Sequence, residues 1–157
     1  MNIFYLDRNP AECAKLHCDK HVVKMILEYA QLLSTAHNMI DGESDKRYKT
    51  THKNHPSAVW VRQSIEHYGY VKDLLNALGD EYEHRYGKVH KTIATVSPYL
   101  QLPPKGMRMD SGWVEPPQCM PDHCKQSNAI KGYMVYYKTE KAYMATWKSR
   151  KVPDFMA

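Results

Sequence analysis

Apolar positions fall at helical spacing in three long stretches, separated by polar or proline-rich segments. The run Asn2 to Leu6 predicts a short strand or a buried extended arm, and Asp7 to Pro10 a turn or helix start capped by Asp or Asn. A helical pattern then runs from about Ala11 to about Asn38, followed by a polar, charged surface loop from Met39 to Asn54. At Asn54-His55-Pro56 the proline stands where its missing N–H costs nothing, so a helix begins there and continues to about Tyr86. Trp60, Val61, Tyr68, Val71, Leu75, Leu78 and Tyr82 share one face of it, and Arg62, Glu66, Asp73, Asp80 and His84 the other. Gly87 ends it.

Residues 88–126 hold six Pro and few periodic apolar positions, which predicts an irregular excursion with room for one short helix. Ser127 reads as an N-cap, and Ile130, Tyr133, Met134, Tyr137 and Met144 form the stripe of a third helix ending near Trp147, ahead of Val152-Pro153. The expected fold is therefore all-α: a single domain, 1–157, of three long helices with an irregular proline-rich region at 88–126. That length suffices to bury a core without outside staples.

The first helix carries the strongest local signal. On a wheel of residues 17–36, Val22, Val23, Met25, Ile26, Leu27, Tyr29, Ala30, Leu32 and Leu33 span more than half the circumference, which marks a central helix packed on several sides. The remaining wedge lines up His17, His21, Lys24, Glu28, Gln31 and Thr35. A charged seam on a buried helix is either paired internally or open to water or a ligand, because an unpaired buried charge is costly. The plainer alternative is a surface ion pair between Lys24 and Glu28, worth about 0.3–0.5 kcal/mol.

Composition narrows the function classes only modestly. A formal charge of +5 favours phosphates without requiring them. Twelve Tyr and three Trp against two Phe suit wet crevices and base stacking, and equally a core with hydroxyls at its rim. No stretch approaches the roughly 18 apolar residues of a membrane span, and the N-terminus lacks a signal-peptide pattern. The chain is expected in the cytosol, with Cys13, Cys18, Cys119 and Cys124 as reduced thiols. Equal four-residue gaps within Cys13/Cys18 and Cys119/Cys124, with His17, His21 and His123 among them, raise zinc as an option. On a helix, however, Cys13 and Cys18 diverge by about 140°, so buried thiols are the preferred reading and no metal is expected. Glycine-rich phosphate loops, nucleophile-elbow serines and kinase signatures are absent. Basic residues gather late, from Lys88 to Lys151, with Trp113 and Trp147 among them, either as a stacking-plus-phosphate surface or as scattered solvated charges.

The segment Cys18-Asp19-Lys20-His21-Val22-Val23, with Glu28 seven residues beyond the histidine, is similar to the first helix of the phage-type pyrimidine-dimer DNA glycosylases, the endonuclease V-like family. The helix after His55-Pro56 and the end Thr146-Trp147-Lys148 also resemble that family, whereas 88–126 does not. Over its whole length the chain resembles small proteins of tailed phages, which would place it in the host cytoplasm. The resemblance implies a DNA glycosylase/AP lyase acting at the glycosidic bond of damaged or modified DNA. An N-terminal α-amine attacks the sugar C1′ and forms a Schiff base; a glutamate, here Glu28, stabilises the cationic sugar and assists strand elimination. An α-amine, titrating near about 8, is partly neutral where lysine is not.

Asn2 is large enough to keep Met1 in place, so the amine offered is that of Met1. Leu27 and Gln31 stand where the family has arginines beside its glutamate. The candidate site is thus Glu28, Met1 and His21 for the chemistry. Asn2, Lys24, Gln31, Arg62, Trp147, Lys148 and Arg150 are the substrate-binding candidates, duplex DNA is the partner, and no cofactor is called for. Two other readings stay open: a base-modifying transferase or nucleotide hydrolase on the same scaffold, and a nucleic-acid- or nucleotide-binding protein without glycosylase chemistry.

Overall fold

A computed structural model of the chain describes residues 1–108 and 112–157; residues 109–111, inside the expected excursion, lie outside the described residues. The architecture is all-helical, with no strand among the described residues. Six α-helices follow in order: α1 (Pro10–Leu16), α2 (Asp19–Asp41), α3 (Pro56–Gln63), α4 (Ile65–Tyr86), α5 (Lys91–Thr95) and α6 (Ala129–Tyr136). Short 3₁₀ turns cover Ser97–Leu100, Asp122–Cys124 and Asp154–Met156, and a π-turn, Tyr137–Lys141, extends α6.

The core lies between α2 and α4. Met25, Ile26, Tyr29, Leu32 and Leu33 of the first meet Tyr68, Val71, Leu74, Leu75 and Leu78 of the second, while α1 closes one end against α4 and α3 packs on α2. The N-terminal arm is extended, as one of its two readings expects, and Ile3, Phe4, Tyr5 and Leu6 run through the core. No helix of the described residues is long and apolar enough to cross a membrane.

Each of the three long helices expected from periodicity is interrupted. The first breaks at His17 and Cys18, both in extended backbone conformation. Donors from far along the chain take the carbonyls that end α1. Arg85 Nη2 reaches Lys15 O at 3.0 Å, Trp147 Nε1 reaches Leu16 O at 2.9 Å, and Arg85 Nη1 reaches His17 O at 2.9 Å. Tertiary partners thus replace the intrahelical bonds a continuous helix would make. Arg85 itself is fully buried, paired with Glu81 on the next turn back and with Asp19 at the start of α2.

The second break falls at Ser64, whose hydroxyl accepts the N–H groups of Glu66 and His67 and caps α4. Helix α4 then ends at Gly87, in the left-handed conformation expected of a terminating glycine. The third helix is capped by Asn128 in place of Ser127 and widens into the π-turn at Tyr137, short of Trp147. Within the excursion, Tyr133 Oη donates to Pro117 O at 2.6 Å and the Gln118 amide pairs with Gln126, so side chains supply the order that periodicity lacks.

Candidate active site

The buried arm is held at three points. Phe4 N–H donates to Tyr29 Oη at 3.0 Å, the Phe4 carbonyl accepts from Cys13 Sγ at 3.2 Å, and Asn2 Nδ2 donates to Cys119 O at 2.8 Å. Tyr29 Oη in turn lies 2.9 Å from His17 Nε2, whose other ring nitrogen donates to Cys13 O at 2.8 Å. Burial lowers the His17 pKa to about 4, so this bridge is a neutral imidazole. His17 is therefore an anchor inside the core and not part of the open seam on α2.

So fixed, the arm brings the α-amine of Met1 to 3.0 Å from Glu28 Oε1. The pair is largely enclosed, with side-chain exposures of 5 % for Met1 and 15 % for Glu28, while the other carboxylate oxygen lies 3.7 Å from the exposed Lys24 ammonium. Glu28 stands at the edge of a small cleft of about 170 Å³, shared with Met1, Asn2, His21, Lys24, Tyr136 and Lys141. Spacings of three and four along α2 place His21, Lys24 and Glu28 on one line facing it.

His21 is held rigidly. Its ring stacks on Phe4 with centroids 4.1 Å apart, and Nδ1 lies 2.6 Å from Tyr137 Oη. That hydroxyl also accepts the Cys18 N–H at 3.2 Å, which ties the ring to the start of α2. Burial, with the nearby Lys141 and Lys24 charges acting in the same direction, lowers the His21 pKa to about 3. It offers a neutral hydrogen-bond donor, not an imidazolium.

Most of the other sequence candidates lie outside the cleft lining. Asn2 lines the cleft, but its amide nitrogen is committed to Cys119 O. Gln31 is half-buried one turn beyond Glu28, outside the cleft lining. Arg62 sits on α3, away from the cleft lining, with Nη1 buried and without a hydrogen-bond partner among the described residues. Trp147 corrects the expectation of a stacking platform: at 7 % exposure its indole belongs to the core. Arg150 is clamped to Glu81 at 2.8 Å. The Lys148 backbone N–H binds Asp19 at 2.9 Å, and its ammonium sits 5.4 Å from the Tyr86 ring centre. Val23 and Leu27, placed in the buried arc of the first helix, are 41 % and 39 % exposed, so that arc is narrower than the wheel suggests.

Sequence reasoning missed Phe4, Tyr136 and Lys141 as cleft residues, and Tyr137 as the partner of His21. It also read His55 only as a helix-start signal. His55 Nδ1 caps α3, and its pKa is lowered by burial and then by the nearby α-amine. Spacing along the chain carries no trace of these contacts.

The helical domain thus presents its own amino terminus to a partly buried carboxylate, with Lys24 and Lys141 lining the same cleft. Residues 1–95, which include α1 to α5, match the family described as pyrimidine dimer DNA glycosylase, and the chain belongs to that family. No curated protein and no solved structure matched it.

Proposed function

We propose that this chain is a DNA glycosylase with AP-lyase activity on duplex DNA carrying damaged or modified bases. The observation that carries the reading is the 3.0 Å approach of the Met1 amine to Glu28. Glu28 takes a proton from the α-ammonium and frees the nitrogen lone pair to attack C1′. The bond from C1′ to the base breaks, and the base leaves with the electron pair and gains a proton. Opening of the sugar ring gives O4′ a proton and leaves a Schiff base at C1′. Loss of a C2′ proton then expels the 3′ phosphate.

Glu28 also stabilises the positive charge that develops on the sugar. The neutral His21 donates through Nε2–H to a sugar or base oxygen. Lys24 takes a strand phosphate, as Gln31 does on the next turn. Lys141 supplies a second cation from the opposite wall of the cleft. Because the target sugar lies within a duplex, the nucleotide must unstack locally to reach so small a cleft. Membership of the family and the moderate positive charge support DNA as the substrate.

The test is borohydride reduction with abasic and ultraviolet-irradiated duplexes. The native chain is expected to form a covalent adduct whose modified residue is Met1. Glu28→Gln should retain DNA affinity while trapping falls by about 100-fold, within the range of a lost acid–base group. A two-residue extension before Met1 should abolish trapping. Absence of adduct on every duplex, or adduct formation through a lysine in the extended protein, defeats the proposal. Unchanged DNA binding without trapping would point to a non-catalytic binder.

A further inference from the structure

Outside the cleft lining, the described residues contain one cluster of potential ligand groups. His123 and Cys124 lie on the 3₁₀ turn Asp122–Cys124, Glu140 lies on the π-turn, and their ligand atoms all fall within 4.8 Å of one another. His123 Nε2 is 2.6 Å from Glu140 Oε1, and Cys124 Sγ is buried 3.4 Å from Thr139 Oγ1. We propose that His123, Cys124 and Glu140 form a binding site for a borderline-soft divalent cation of the zinc type, with the fourth position open to water.

The donor set favours such an ion. A thiolate, an imidazole and a carboxylate together suit zinc, whereas magnesium and calcium prefer oxygen alone. Tetrahedral coordination at zinc-ligand bond lengths separates donor atoms by about 3.3–3.8 Å. The His123–Glu140 pair must therefore open from 2.6 Å while both groups close on the sulfur. Both movements fall to solvent-accessible side chains, with 63 % exposure for His123 and 39 % for Glu140, so the buried Cys124 stays in place. The ion replaces the imidazole–carboxylate hydrogen bond, and the thiol proton passes to solvent. Thr139, hydrogen-bonded through Oγ1 to Val135 O at 2.8 Å, lies against the sulfur as a neighbouring dipole.

The position gives the site a structural consequence. Glu140 immediately precedes Lys141 of the cleft and follows, by three residues, the Tyr137 that holds His21. The ion thus ties the proline-rich excursion to the π-turn forming one wall of the cleft. The other cysteines are placed for different work, since Cys13 and Cys18 are core residues and Cys119 sits beside Ser57. The pairing of Cys119 with Cys124 suggested by equal spacing is replaced by a histidine, a cysteine and a glutamate from two separated segments.

Cobalt(II) chloride titrated into the reduced full chain should give a thiolate-to-cobalt charge-transfer band saturating at one ion per chain, displaced by zinc chloride. Cys124→Ser should remove the band. His123→Ala and Glu140→Gln, both at accessible positions, should each weaken zinc binding by more than about tenfold while leaving the metal-free melting temperature unchanged. Zinc should raise the melting temperature of the native chain and not that of Cys124→Ser. A native chain with no cobalt band, a band that survives Cys124→Ser, or equal zinc affinity in native chain and variants overturns the proposal. None of these readouts depends on activity toward DNA.

Discussion

Two neutral histidines in the core make acid the sharpest probe of this fold. His17 and His21 have pKa values of about 4 and about 3, both lowered chiefly by burial. An unfolded histidine titrates near about 6.5. Between that value and the folded values the unfolded chain binds more protons, so stability is fully present above the window and falls as pH is lowered through it. Near pH 5 the unfolded pair holds nearly two protons and the folded pair almost none. At about 1.4 kcal/mol per proton per pH unit, the chain loses ~2.5 kcal/mol per unit there, and ~2 kcal/mol between about pH 6 and 5. His37, His55, His67 and His90, also lowered by burial, act in the same direction. Urea unfolding at neutral pH and at two points below it measures the slope. In His17→Gln, which keeps a donor for Cys13 O but does not titrate, the slope should fall by about 1.2 kcal/mol per unit. A native slope under about 1 kcal/mol per unit, or equal slopes in both proteins, refutes the reasoning.

Three further outcomes follow from particular contacts. Ser64→Ala removes the cap of α4 and should cost about 1–2 kcal/mol in urea unfolding; a cost below about 0.5 kcal/mol would show that α3 and α4 fuse without it. Arg85→Lys keeps the charge but loses the fork that serves Glu81, Asp19 and the carbonyls of Lys15 and His17. A loss of about 3–5 kcal/mol is expected, and near-native stability would contradict the account of the α1–α2 break. Lys141→Ala should lower the slope of log affinity for duplex DNA against log salt by about 0.9, as for one lost phosphate contact, while an unchanged slope removes Lys141 from the DNA surface.

The interruptions in the helices show where reading the sequence stopped. The apolar pattern from Pro56 to Tyr86 runs on through Ser64 and hides the break there, although serine is a preferred N-cap and its hydroxyl does cap α4. The break at His17 had no comparable local sign, because its causes are Arg85 and Trp147, roughly 70 and 130 residues away in sequence. Trp147 illustrates the same limit from the other side. An aromatic residue beside lysines reads equally as a stacking platform or a core residue, and only its bond to Leu16 O and its burial decide between them.

The local sequence established the helical class, the helix boundaries at Pro56 and Gly87, and the alignment of His21, Lys24 and Glu28 on one helix face, since each depends on neighbours within a turn. Tertiary structure decided what stands across from that face. The Met1 amine reaches Glu28 because Tyr29, Cys13 and Cys119 hold the arm, and Tyr136, Tyr137 and Lys141 arrive from more than 100 residues downstream. Side-chain contacts at such separation are set by how the helices pack, and a one-dimensional pattern holds no record of that distance.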